Sequence, residues 1–284
     1  MDTLSILPAV DLMLPAALPF LSTALLLWIV PRIPGVKSWS ATGDLIVLSG
    51  ILLAFFVFDR PSIIHLANPS RPMDWIPALA LLTFAARRLL SALHPLISDI
   101  LTVTISAFIL LYPLLHRHMF SGMALLAEIL GLWLLVQILP FRHKGTGLDR
   151  AVLTPLFLTT ATLAALSPLS GSLLLGQLAG GLAAVWLAMI LAGSSRTPLA
   201  GAEPGIALGG LLLVGREYVD ISLYVTGALY AALLSGILTH RLLLRFPFFR
   251  SSFRTLLPGI ISLLFLGLAI VKTIQSSAGA GSGY

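Results

Sequence analysis

One carboxylate stands apart from the other acidic residues because apolar residues flank it on both sides. Glu128 is the seventh residue of the apolar block Gly122–Leu139, which places it about 10 Å into a helix that rises ~1.5 Å per residue. An ionisable group inside a membrane segment is costly and is by default a hypothesis for a functional site. Glu128 is therefore a candidate proton or substrate site. The alternative is a neutral, protonated Glu128 that only makes a structural hydrogen bond to a neighbouring helix.

The Gly-rich segment Gly205–Gly215 is the second candidate. Its eleven residues follow a Glu-Pro dipeptide and would extend only about 17 Å as a helix, roughly half of the hydrocarbon thickness. Short segments interrupted by Gly or Pro are good sequence pointers to a transporter site, so Gly205 and Gly209 are candidate solute-binding positions. The alternative is a short helix that its neighbours bury, extended to Tyr218 and followed by an ion cluster at Arg216–Asp220.

A GxxxG motif is the strongest packing signal in the chain. Gly176 and Gly180 lie one helical turn apart in the apolar block Gly171–Ala192, and Ala184 continues the same small-residue face. Small residues let membrane helices approach closely. The motif therefore predicts that this face packs against another helix, either within the chain or in a partner protein, and it predicts no chemistry.

The remaining polar residues do not form a catalytic or metal-binding pattern. All six histidines fall in loops or at the ends of apolar blocks, where we expect them to be solvated at the interface, and Asp99 near a helix start favours a cap-like role. The sequence has no H-E-x-x-H or G-x-S-x-G motif. It also has no Cys, which excludes thiol nucleophiles. We predict no catalytic residue, no cofactor and no metal site.

The elements that must position these residues are membrane helices. Of the 284 residues, 58% are hydrophobic and 10% are charged, against about 25% charged in soluble domains. The apolar residues form blocks long enough to cross a bilayer, and in lipid only helices can satisfy their own backbone groups in such blocks. We predict an all-α, polytopic transmembrane bundle, with residues 1–284 as one integral membrane domain and 275–284 as a flexible tail. Besides Gly205–Gly215, the blocks are Leu12–Val30, Gly43–Phe58, Trp75–Leu93, Leu96–Leu115, Gly122–Leu139, Ala151–Leu169, Gly171–Ala192, Val219–Thr239 and Thr255–Thr273.

The distribution of basic residues favours about ten helices, one of them short and possibly broken. If Gly205–Gly215 crosses the membrane and the N-terminus lies outside, 12 of the 17 Lys and Arg face the cytoplasm and five face the other side. If the segment does not cross, the split becomes nine against eight. Because short cytoplasmic loops carry an excess of Lys and Arg, we predict ten spans with both termini on the non-cytoplasmic side.

These features give two expectations of function. The first is a bacterial inner-membrane protein with a permease-like role, in which a small, weakly polar solute passes near Glu128 and Gly205–Gly215. The second is a non-catalytic membrane subunit that packs small-residue faces against partner subunits or further copies of itself. The net charge of +6 sits in short loops that set membrane orientation, so we expect a lipid bilayer and no nucleic acid as a partner.

Overall fold

The described part of the chain is all-α. The computed structural model describes residues 7–29, 42–59, 75–89, 101, 104–106, 108–109, 150–192, 203–219, 221–245 and 251–280. These residues are almost entirely helical and contain no strand, so the predicted fold class is confirmed for them, whereas the predicted number of about ten helices is not confirmed. Eight helices have defined bounds: α1 Leu7–Ile29, α2 Thr42–Asp59, α3 Trp75–Leu89, α4 Arg150–Leu169, α5 Leu173–Ala192, α6 Glu203–Val219, α7 Leu223–Arg245 and α8 Ser251–Ala280.

Four of these helices are long and apolar enough to cross a membrane. The spanning segments lie in α4, α5, α7 and α8, and shorter apolar segments of 10–17 residues lie in α1, α2 and α3. Helices of this length and composition are typical of a multi-pass membrane protein. The four candidate spans are Val152–Leu169, Leu173–Leu191, Leu223–His240 and Leu256–Gln275.

Helix α6 is buried along its apolar stretch. It has 17 residues, which corresponds to about 25 Å, because it begins before Gly205 and continues to Val219. Every residue from 205 to 215 is buried, and α2, α3, α4, α5 and α7 all contact the helix. A helix that is apolar on all sides belongs in a core. This arrangement matches the alternative interpretation, in which the helix is buried by its neighbours and continues past Gly215.

A tight turn joins α4 to α5. The N–H of Ser172 donates to the Ser167 carbonyl at 3.0 Å and the N–H of Gly171 donates to the Pro168 carbonyl at 3.1 Å, the paired bonds of a Schellman motif. Gly171 has a φ of 87°, a left-handed conformation that glycine adopts without strain. Ser172 Oγ then accepts from the Leu175 N–H at 3.3 Å, which caps the start of α5. The turn makes α4 and α5 antiparallel neighbours.

Two helix ends differ from the predicted block ends. His240 lies inside α7 and is 3% exposed, rather than solvated at the interface, because the apolar residues that follow Arg241 continue the helix to Arg245. Helix α8 continues to Ala280 and so includes residues 275–280 of the predicted flexible tail. Those residues are Gln, Ser, Ala and Gly without a Pro, and such a run does not force a helix to stop.

Candidate functional site

The structure locates four of the five candidate site residues. Gly205 and Gly209 lie in the buried stretch of α6. Gly176 and Gly180 lie on α5, and Gly176 is fully enclosed while Gly180 is partly buried. Glu128, like Asp99, lies outside the described residues. The described part of the site therefore consists of α6 and the helices around it.

The small-residue face of α5 lies against α4. A Cβ atom at Gly176 would lie 3.0 Å from the carbonyl oxygen of Ala164 and 3.0 Å from Cδ of Pro168. At Gly180 the nearest atom to such a Cβ would be Cβ of Ala164, at 3.8 Å. The two helices approach closely at Gly176 and leave ordinary van der Waals space one turn later.

The two glycines should respond differently to substitution. We expect Gly176→Ala to destabilise the protein by roughly 1–3 kcal/mol, because the added methyl group meets backbone and a proline ring that cannot rotate away. Gly180→Ala should be neutral or stabilise by up to about 1 kcal/mol, because Ala has the better helix propensity. Thermal unfolding of the two variants in detergent measures this difference. Equal losses from both substitutions would contradict the register of α4 on α5.

Several buried hydroxyl groups of the described helices are bonded within their own helix. They donate to the carbonyl one turn earlier, a common arrangement for Ser and Thr in membrane helices. This local bond occupies the proton of the hydroxyl and leaves its oxygen able to accept. Examples are Thr83 to Leu79 at 2.6 Å, Thr160 to Leu156 at 2.8 Å, Ser167 to Leu163 at 2.6 Å and Thr273 to Ala269 at 3.0 Å.

Three buried polar atoms depart from this pattern. Oγ1 of Thr23, Oγ1 of Thr159 and Nε1 of Trp186 have no hydrogen-bond partner, and all three residues are 0% exposed. A buried polar group without a partner costs about 1–3 kcal/mol. Such a group therefore points to a role beyond packing. No motif in the sequence marks these residues, since a lone Thr or Trp in an apolar block has no distinctive spacing.

Thr23 lies where three helices meet. A Cβ atom at Gly50 of α2 would lie 2.8 Å from Oγ1 of Thr23 on α1 and 2.7 Å from Cγ2 of Val185 on α5. Oγ1 of Thr23 thus belongs to the junction of α1, α2 and α5.

A second junction joins α4, α7 and α8. Oγ of Ser262 is within 2.7 Å of the Ala232 carbonyl on α7 and 2.9 Å of the Pro258 carbonyl on its own helix. A Cβ atom at Gly236 would lie 2.6 Å from Cγ of Pro155 and still closer to Oγ of Ser262. The hydroxyl of Ser262 therefore links two helices, which distinguishes it from the locally bonded hydroxyls.

The buried polar residues of the described helices include no Asp, Glu, Lys or Arg. They are Thr, Ser and one His. The ion pair between Arg216 Nε and Glu217 Oε1, at 3.2 Å, lies at the end of α6, and its side chains are 21% and 29% exposed. Exposed pairs of this kind contribute about 0–1 kcal/mol. The described core therefore offers hydrogen-bonding groups.

Comparison of the chain with protein-family models, with curated proteins and with solved structures gives no significant match.

Proposed function

We propose that this membrane protein has a permease-like role for a small, neutral, weakly polar solute. The observation that carries the proposal is the position of α6. Helices from the first third of the chain, α2 and α3, contact it together with α4, α5 and α7 from the second half. Transporter sites often form at the interface between groups of membrane helices. Gly205 and Gly209 are the proposed solute-contact positions of α6.

The solute class follows from the polar groups of the core. Unpaired polar atoms of the described helices include two hydroxyl oxygens and an indole nitrogen, which can hydrogen-bond a neutral molecule. A small molecule with one or two oxygen atoms fits such groups.

The proposed location is the bacterial inner membrane with both termini on the non-cytoplasmic side. The distribution of the 17 Lys and Arg residues along the chain supports this orientation. Reporter fusions after Lys37 and Lys144 should report the cytoplasm, and a fusion at Tyr284 should not. A cytoplasmic signal at Tyr284 would contradict the proposed orientation.

Glu128 provides the test of transport. We expect Glu128→Gln to abolish solute flux into proteoliposomes while leaving the unfolding temperature within a few degrees, if the carboxyl group relays a proton or binds a cation. Glu128→Ala should lower stability as well, because it removes the hydrogen-bonding capacity that Gln retains. Full flux in the Gln variant would refute the proton site.

The second candidate function is a non-catalytic membrane subunit, and the outer face of α8 favours it. Leu256, Leu264 and Leu268 are 63–67% exposed, and Gly267 between them has no atom within 4 Å of a Cβ position. This face is available to a partner helix, whereas Gly176 packs within the chain. Chemical cross-linking in native membranes separates the two functions, since a subunit should be recovered with a defined partner and a permease need not be.

A further inference from the structure

Arginine residues occupy one end of each of the three helices α4, α7 and α8, which contact one another. They are Arg150 at the start of α4, Arg241 and Arg245 at the end of α7, and Arg254 in the first turn of α8. None of the three helices contains an Asp or a Glu within these bounds. Asp149 precedes α4 in the sequence, so the four arginines and this one carboxylate together carry a charge of +3.

The connections between helices place these arginines at the same end of the bundle. Five residues separate α7 from α8, so the last residue of α7 and the first of α8 lie at one end. At the opposite end, a Cβ atom at Gly215 of α6 would lie 3.0 Å from Cδ2 of Leu175, near the start of α5. The turn from α4 to α5 therefore lies beside the link from α6 to α7. Helix α4 consequently begins at the end where α7 finishes.

Two packing contacts fix how far each helix extends toward that end. A Cβ atom at Gly236 of α7 would lie 2.6 Å from Cγ of Pro155 on α4. A Cβ atom at Gly259 of α8 would lie 3.1 Å from Cγ2 of Thr154, also on α4. Because Thr154 and Pro155 are neighbours, the two contacts lie at almost the same depth in the bundle.

Arg150, Arg241 and Arg254 share one level beyond these contacts. Each is four or five residues from the contact on its own helix, which is about 6–8 Å along the helix axis. Each also lies within two residues of the end of a candidate membrane span. Packed helix axes are about 8–10 Å apart, a spacing that one bound anion can bridge. We call these three positions the arginine level.

Exposed apolar side chains lie beside and inward of the arginine level. Leu238 and Leu242 of α7 are 53% and 49% exposed, and Leu256 and Ile260 of α8 are 63% and 52% exposed. Position 241 is three residues from Leu238, on the same side of α7. This end of the bundle therefore offers positive charge at the edge of the spans and apolar contact within them.

We propose that the arginine level binds the phosphate group of an anionic phospholipid whose acyl chains lie along α7 and α8. Arginine suits a phosphate group because its planar donors pair with two oxygen atoms at once. Basic groups between membrane helices bind the head groups of anionic lipids in this way. The exposed leucines favour a lipid over a free anion, because acyl chains cover them. The proposal concerns a lipid site and does not depend on the permease role.

Thermal unfolding of the full-length protein during lipid titration measures the binding. The protein is held in dodecylmaltoside and its tryptophan fluorescence is followed, since a ligand of the folded state raises the unfolding temperature. The probes are dioleoylphosphatidylglycerol and dioleoylphosphatidylcholine, which share acyl chains and differ in net charge. We expect phosphatidylglycerol to bind at least about tenfold more tightly, because each arginine near the surface contributes a factor of about five. Equal affinities would overturn the proposal without any variant.

Arg254→Gln and Lys272→Gln are a matched pair on α8. Each removes one positive charge, and Lys272 is exposed and lies about 27 Å along the helix from Arg254, near the other side of the hydrocarbon. We expect Arg254→Gln and Arg241→Gln each to weaken phosphatidylglycerol binding about fivefold, and Lys272→Gln to leave it unchanged. Unfolding temperatures without lipid show whether each variant is folded. Equal weakening by Arg254→Gln and Lys272→Gln would mean general electrostatic attraction and contradict a defined site.

Competition with inorganic phosphate separates the lipid from a free anion. Excess sodium phosphate, at an ionic strength matched with sodium chloride, should not displace phosphatidylglycerol, because the acyl chains contribute contacts that phosphate lacks. Displacement would overturn the assignment of a lipid and indicate a site for a free anion. The titrations do not measure flux, so selective lipid binding by a protein that does not transport would refute the permease role and leave the lipid site intact.

Discussion

Gly236→Ala should be among the most destabilising single-methyl additions in the described part of the protein. The new methyl group would overlap Oγ of Ser262 and lie 2.6 Å from Cγ of Pro155. It would therefore push α4 and α8 away from α7 and break the bond from Ser262 to the Ala232 carbonyl, now 2.7 Å. Overpacking costs about 1–3 kcal/mol and the lost hydrogen bond about 1 kcal/mol, so we expect a total loss of roughly 2–4 kcal/mol.

Helix α7 contains the matched control for this prediction. Gly227 has no atom within 4 Å of a Cβ position, so Gly227→Ala should be neutral or stabilise the protein by up to about 1 kcal/mol. Unfolding by SDS in mixed micelles with dodecylmaltoside measures both variants. Adding Ser262→Ala to Gly236→Ala should recover part of the loss, because it removes the closest oxygen. Similar stability of the two Gly→Ala variants would contradict the packing of α7 on α4 and α8.

The sequence predicts the helical class of the fold well because one physical constraint dominates it. Apolar blocks of about 20 residues have few alternatives to helix in a membrane, and the predicted blocks Ala151–Leu169 and Gly171–Ala192 agree closely with α4 and α5. Helix ends are less certain. Helix α7 continues through His240 to Arg245, since the boundary between apolar and polar residues need not be the boundary of a helix.

The candidate site is harder to predict because its features are contacts between residues that lie far apart in the sequence. Gly176 was recognisable from the GxxxG spacing, but nothing in that motif distinguishes the tight contact at Gly176 from the looser one at Gly180. Gly50 and Gly236 carry no motif at all. Their close contacts appear only once α1, α4, α5 and α8 are placed around them. The same holds for Thr23, because a sequence does not show whether a hydroxyl bonds to its own helix.

Helix α6 is longer than the apolar block that predicts it. The apolar block Gly205–Gly215 ends at the first charged residue, yet α6 continues through Arg216 and Glu217 to Val219. The two charged side chains pair with each other at 3.2 Å and remain partly exposed, so the end of the helix can carry them near the bundle surface. The buried stretch then needs only its neighbours, and not lipid, to cover it.

The enclosure of α6 leads to the other large expected effect, which is Leu208→Ala. Leu208 is 0% exposed and belongs to the buried stretch of a helix that five others contact. Removing its side chain leaves a cavity that the surrounding helices cannot fill, and Leu→Ala changes in packed cores cost about 2–5 kcal/mol. We expect a loss within this range, measured by the same SDS unfolding assay.

The same substitution on the outer face of the bundle is the control. Leu264 of α8 is 67% exposed, and in a membrane lipid or detergent chains replace the contacts that its side chain loses. Because lipid is as apolar as Leu, burial from water does not drive packing there, and Leu264→Ala should cost less than about 1 kcal/mol. If Leu208→Ala were as mild as Leu264→Ala, α6 would face lipid on at least one side. The proposal of a solute site around α6 would then lose its structural basis.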